Sequence, residues 1–351
     1  GNKHFTYTTS GTPISKMGDT LRGHWDKWDE KCKADPSLGR VVAATGDGSK
    51  WDHSMLREYM GLECEMVMSS YEDTYRDMIR RLYGYITWPV CFTQHGFAFS
   101  NPGQRMTGHQ FTWMNSFLNG VLHRWGWLKT LGLDMDADLD KYVTFVTDGD
   151  DNVHFGPSSV INEENLDKLC KIMATANIVI RSKEMSGYHL IDTFEGIDYL
   201  SHYYALTYIS CDESHPKAIR AQLGQQDRVG AYGTWHRATW LPYRPVTEIL
   251  GKLSITLRSA CSRNSLKARQ KLINGETISQ FERDGLEIEA AKLTSYLLQY
   301  PHMASVRALA LPVLSMLGFC DREFATNYKW KMRGFDLIPG GQGEGADVLM
   351  G

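Results

Sequence analysis

Val143-Thr144-Phe145-Val146-Thr147-Asp148-Gly149-Asp150-Asp151-Asn152-Val153-His154-Phe155 sets three aspartates between two runs of β-branched and aromatic residues. Asp-Gly between two such runs is a strong short-range hairpin signal, so the stretch reads as a β-hairpin with acids at its turn. Like charges at close range repel and raise each other's pKa, so a folded chain keeps them together where something positive binds. The bland alternative is a solvated turn built from turn-forming residues. A Gly-Asp-Asp alone does not decide between them.

The surroundings of the hairpin sharpen the choice. Arg40 to Gly46 is a short β-type run that delivers a second acid, Asp47, and a helix is expected from Asp52 to about Ser70. Ile86 to Asn101 reads as short strands and turns. Beyond Gly103 and Gly108, Trp113, Met114, Phe117, Leu118, Val121, Leu122 and Trp125 recur at helical spacing, which predicts an amphipathic helix. A helix from Asn162 to Ala176 and a β-run at Ile178 to Ile180 follow the hairpin. This order predicts an α+β fold, a ferredoxin-like split βαβ with an antiparallel sheet and helices on one face.

In that topology the strands ending at Asp47 and before Asp150 are neighbours, about 4.8 Å apart. Their carboxylates then converge on hard, oxygen-loving cations, two Mg²⁺ or in their place Mn²⁺. Two such ions can stabilise the attacking and the leaving oxygen of an in-line phosphoryl displacement.

The chain of 351 residues is 42% apolar and 11% aromatic, the composition of a globular protein with room for more than one domain. A net charge of -3 gives no overall footprint for nucleic acid, so such binding must come from local patches. One patch runs from Arg258 to Lys271, with Arg258, Arg263, Lys267, Arg269 and Lys271 and no acid between them. Seven scattered cysteines without metal or disulfide spacing suit a reducing compartment. The longest apolar run, near Ala308 to Phe319, is too short to span a bilayer, so no transmembrane segment is expected. The expected divisions are 1–38 as a linker or remnant, 39–210 around the sheet, 211–335 as a mainly helical domain, and 336–351 as a Gly-rich tail.

The motifs resemble those of the RNA-dependent RNA polymerases of positive-strand RNA viruses, most of all the tombusvirus-like and flavivirus-like groups. GDGSKWDHSM around Asp47 is similar to motif A, GQRMTGHQFTWMN to motif B and TDGDDN to motif C, in that order, with looser likenesses of IVIRSKEM to motif D and GIDYLSHYY to motif E. The resemblance implies a palm from Arg40 to about Tyr204, part of the fingers inserted at 70–105, and a helical thumb beyond. It implies template-directed nucleotidyl transfer with NTPs, an RNA template and a product strand as partners, no DNA, and a place in a replication complex in the host cytoplasm.

Residue by residue, the resemblance makes Asp47 and Asp150 metal ligands, with Asp151 supporting the cluster or holding a metal in another state. Lys183 becomes the acid that protonates departing pyrophosphate, with Arg181 as its substitute. Asp52 is expected at the incoming ribose; its plainer role is an N-cap. Thr107 belongs to the glycine loop, and Thr112, Asn115, Ser116 and Asn119 fall at i, i+3, i+4 and i+7 on one polar stripe of the following helix. The family's asparagine sits where Ser116 stands, one place after Asn115, which leaves open which of the two reads the sugar. Gly103, Arg105 and Gly108 are expected against the template strand. The basic run Arg258 to Lys271 is expected to neutralise duplex phosphates, a sequence-independent and salt-sensitive contact. No basic motif F is recognisable before Asp47, so the fingers are expected on a preceding segment or on other viral replication proteins. A reverse transcriptase, or an RNA-binding subunit without catalysis, remains the alternative.

Overall fold

The computed structural model describes residues 8, 9, 12, 14–100, 114–182, 186–211, 228, 229, 235–254, 267, 268, 270–300, 302–316, 331, 332 and 335–337. They divide into two units, one of residues 1–12 and 22–200 and the other of 13–21 and 201–351.

The first unit is built on β1 (Val41–Gly48), β4 (Thr144–Asp148), β5 (Asp151–Pro157), β6 (Ile180–Arg181) and β7 (His189–Ile191). Its order is β4-β5-β1-β6, with β7 also pairing β1, and every pairing between these strands is antiparallel. β1 crosses to β4 through helix α5 (Met114–Leu131), and β5 crosses to β6 through α6 (Glu163–Thr175). That is the split βαβ order expected from the hydrophobic periods. The α6 start is fixed by Asn162, whose side chain accepts from the Asn165 N–H at 3.0 Å.

Period-two alternation sorts the strand side chains onto two faces. Val42, Ala44 and Phe145 pack with Leu118, Leu122, Leu166, Leu169 and Met173 of α5 and α6. The opposite face is not bare. Helix α1 (Ile14–Ala34) lays His24 on Phe155, with ring centroids 5.6 Å apart, and Trp28 donates its indole N–H to Thr144 Oγ1 at 2.8 Å. The expectation of helices on one face is corrected accordingly. Residues read as a polar remnant hide a buried stripe, Met17, Leu21, Trp25, Trp28 and Cys32, whose spacing is helical although the segment is polar on average.

Between β1 and α5 run α2 (Trp51–Ser54), α3 (Arg57–Ser69), α4 (Asp73–Thr87) and the small hairpin β2 (Val90–Phe92) and β3 (Ala98–Ser100). The single helix expected from Asp52 to Ser70 is thus interrupted, at Met55 and Leu56, whose backbones are extended.

The second unit is a mixed structure, which corrects the expected mainly helical domain. β8 (Tyr203–Cys211) and β10 (Trp235–Tyr243) pair antiparallel over nine positions, inside a five-stranded sheet with β9 (Arg228–Val229), β11 (Lys331–Met332) and β12 (Phe335–Leu337). Both long strands are rich in aromatic and β-branched residues, the composition that suits a pleated surface. Helices α7 (Val246–Ser254), α8 (Gln280–Gln299) and α9 (Ala304–Met316) share a core of Ile249, Leu293, Leu297, Tyr300, Val306 and Leu314. Ser279 and Glu282 close a capping box at the start of α8.

Candidate active site

The hairpin turn is centred one residue later than the Asp-Gly signal suggests. Asp148 pairs with Asp151, leaving Gly149 and Asp150 as the two turn residues. Gly149 has φ 63°, and a glycine at the first position of a two-residue turn adopts that conformation without strain. Three contacts from α5 hold the turn there. The Ser116 hydroxyl donates to Asp148 Oδ1 at 3.0 Å and accepts the Gly149 N–H at 2.8 Å. Asn119 Nδ2 donates to the Gly149 carbonyl at 3.1 Å. Of the polar stripe, Ser116 and Asn119 therefore shape the turn, whereas the buried Asn115 Oδ1 has no hydrogen-bond partner.

β1 brings the second acid to the same place. Asp47 is the register partner of Asp151 on β5 and of Arg181 on β6. The Gly48 N–H donates to the Asp150 carbonyl at 3.2 Å, tying the residue after one acid to the backbone of the other. Gly48 also admits the Trp51 ring, since a Cβ there would stand 2.6 Å from it. Asp47 Oδ2 accepts from Arg181 Nε at 3.4 Å, and Oδ1 is buried with no hydrogen-bond partner.

The electrostatics follow from this crowding. Burial raises the Asp150 carboxyl, and Asp47 and Asp52 add to the rise through their charges. Asp151 is pushed up to about 7, first by burial, then by Asp150, Asp47, Asp198 and Asp148. Burial also raises Asp148, against the opposing hydrogen bond from Ser116. A cluster of acids that resists ionising on its own is one that a cation stabilises.

Asp52 lies inside the first turn of α2, half-buried, and Lys50 rather than Asp52 is the N-cap, in the left-handed region at φ 53°. The capping role is thus set aside, and the carboxylate is near enough to act on Asp150.

Among the described residues no group of three or more His, Cys, Asp and Glu side chains is placed to hold a metal ion. What the site offers is the pair Asp47 and Asp150, with one orphaned buried oxygen on Asp47. Mg²⁺ is usually held in this way, by one or two carboxylates, with substrate phosphates and water completing its octahedron. The residues present therefore fit a hard divalent ion.

Gly103, Arg105, Thr107, Gly108, Thr112, Lys183, Arg258, Arg263 and Arg269 lie outside the described residues. Lys267 and Lys271 belong to the second unit. Lys267 is exposed, but Lys271 donates to Glu282 Oε1 at 2.7 Å and is engaged within its own unit. The sequence reading missed Asp198, whose charge bears on Asp151, and Asn152 and His154 behind the turn. Each stands inside a quoted motif or beside one, but nothing in spacing alone points it at the acids.

A family model described as viral RNA-dependent RNA polymerase matches residues 19–263, more than half of the chain and both acid-bearing strands. The chain belongs to that family. No curated protein matches it. Viral RNA-dependent RNA polymerase activity accounts for a paired-carboxylate site at the end of an antiparallel sheet, and RNA and NTPs are the partners that the family implies. No described helix is long and apolar enough to cross a membrane.

Proposed function

We propose that this viral polymerase extends an RNA 3′ end on an RNA template by a two-metal transfer of nucleotides from NTPs, replicating viral genomic RNA. The observation that carries the reading is the Gly48 to Asp150 backbone hydrogen bond, which sets Asp47 and Asp150 side by side with an Asp47 oxygen left unpaired. Mg²⁺ or Mn²⁺ held there supplies the charge that stabilises both the attacking and the leaving oxygen of an in-line displacement.

The chain's own residues set up the rest. Ser116 and Asn119 fix the turn, so that Asp150 needs little rearrangement when it is used. Asp52 and Asn115 are the ribose readers in this proposal. A carboxylate accepts from the 2′-hydroxyl and an amide donates to it, a pair of contacts that deoxyribose cannot make. The choice of Asn115 over Ser116 rests on the Ser116 hydroxyl being occupied by Asp148 and Gly149. Asp151 supports the pair, and Lys183 protonates pyrophosphate.

The split βαβ unit is the palm in this reading, and the second unit contains the thumb, where Lys267 and its basic neighbours meet duplex phosphates. The motif forms favour the tombusvirus-like and flavivirus-like groups, and a replication complex in the host cytoplasm. Asp150→Ala, assayed beside the wild type, should abolish primer extension and keep RNA affinity. Extension at the wild-type rate would remove the two-metal assignment.

A further inference from the structure

Behind the acid-bearing turn, on the α5 side of the sheet, lies a line of polar side chains without access to solvent: Asn119, His123 and His154 are 0% exposed and Asn152 is 1% exposed. Trp127 on α5 donates its indole N–H to His154 Nδ1 at 2.8 Å. An indole can only donate, so His154 Nδ1 must accept, and the proton of the neutral ring sits on Nε2. His154 Nε2 therefore donates to Asn152 Oδ1, at 2.9 Å. With its oxygen so engaged, Asn152 turns its Nδ2 to the Asp150 carbonyl, at 3.3 Å. That carbonyl is the one that also accepts the Gly48 N–H from the Asp47 strand.

Each link fixes the polarity of the next. An amide flipped at Asn152 would set its oxygen against the Asp150 carbonyl and its NH₂ against the His154 N–H. Burial holds His154 well below the ordinary histidine pKa, with His123 adding to the effect, so the ring stays neutral as the relay requires. His123 has the opposite tautomer, its Nδ1 donating to the Asn119 backbone carbonyl at 2.9 Å and its Nε2 accepting from the Tyr188 hydroxyl at 2.8 Å. Separately, the Asn119 side chain donates to the Gly149 carbonyl. Both turn residues thus have their carbonyls held from the buried side.

We infer that His154 and Asn152 are positioning residues for the divalent ion, a directed hydrogen-bond relay from Trp127 that sets the backbone of Asp150 against Asp47. This rests on the proposed function of the same site. Outer partners of metal ligands typically govern affinity by about 10- to 100-fold, and that is the effect expected here.

The test uses the full chain, with Mn²⁺ as the probe and its paramagnetic resonance signal as the measure of binding, beside thermal denaturation and RNA affinity. His154→Phe keeps the ring volume but cannot donate to Asn152, and should weaken Mn²⁺ binding by about 10-fold or more while leaving RNA affinity unchanged. His154→Gln can place its Nε2–H where the ring Nε2 stood, with its only acceptor, Oε1, displaced from the Nδ1 position that accepts from Trp127. It should recover Mn²⁺ binding while remaining less heat-stable than the wild type, a split that a purely structural role would not produce. Where His154→Phe does not fold, Asn152→Ser removes the last link and should show the same loss. Wild-type Mn²⁺ affinity in His154→Phe or Asn152→Ser, or no recovery in His154→Gln, overturns the inference. Asp150→Ala is the control. If it binds Mn²⁺ like the wild type, the metal-site reading itself fails and this inference falls with it, an outcome distinct from loss in Asp150→Ala alone.

Discussion

Asp151→Asn should stabilise the metal-free protein at pH 8 and do little at pH 4. The Asp151 carboxyl is pushed from 3.8 to about 7, by burial first and then by the charges of Asp150 and Asp47. A carboxyl whose pKa is raised by folding holds its proton more tightly in the native state than in the unfolded chain. Its contribution is fully present below the unfolded value and is lost as pH rises through the folded one. Each pKa unit is worth about 1.36 kcal/mol, so above pH 7 the charged form costs the native state roughly 4 kcal/mol at most. Local relaxation and water around a partly open turn reduce this, and about 2 kcal/mol is the expected gain from an uncharged isostere. For a unit of this size that is a rise in melting temperature of roughly 4–8 °C. The assay is thermal denaturation in EDTA at pH 4 and pH 8, for wild type and variant. Added Mg²⁺ should then narrow the difference at pH 8, because ligand binding to the native state stabilises the wild type preferentially. A gain of equal size at both pH values, or a loss at pH 8, would refute the assignment of Asp151 to a strained acidic cluster.

Four further outcomes are expected. Ser116→Ala removes the donor to Asp148 and the acceptor of the Gly149 N–H, and should cost about 2 kcal/mol in urea denaturation, with Ser116→Thr recovering most of it. Asp52→Ala should narrow the preference for NTP over dNTP in single-nucleotide incorporation, and an unchanged ratio would remove the ribose role. Lys267→Ala should lower the slope of log affinity against log salt for RNA by about 1, because its exposed charge is free to meet a phosphate. Lys271→Ala, whose charge is spent on Glu282, should leave that slope unchanged and lower thermal stability instead.

How much of this was legible in the residues depends on the range of the force that decides each feature. The sheet order followed from the succession of β-rich runs and amphipathic helices, which is that of a split βαβ, although β1, β4 and β5 are buried on both faces. With that order, Asp47 and the turn acids had to be neighbours. Helix α1 escaped because its mean polarity masks an apolar stripe of one residue per turn, and the second sheet escaped because β8 and β10 meet across a long connection that no local period reports. The turn falls one residue after the Asp-Gly expectation, with Gly149 first in the two-residue turn, itself a favoured place for glycine, and with Ser116 and Asn119 of α5 bonding the Gly149 backbone.

Several features that local rules fail to foresee fall on the motif segments, and others, such as Asn177, Leu200 and Ser201 in the left-handed region and the unpartnered ring nitrogens of His302, fall elsewhere. Lys50 in the left-handed region, the unpaired Asp47 oxygen, the unpaired Asn115 oxygen and two strongly raised aspartates all lie along the segments that carry motifs A to C. Departures of this kind persist where a surrounding structure pays for them, and they gather at sites of function. Among those surroundings are the buried hydrogen bonds of His154, Asn152 and His123, whose proposed role is to set where the acids stand. Their polarity is the part of the site that composition and spacing could not carry, since a flipped amide or the other tautomer has the same sequence.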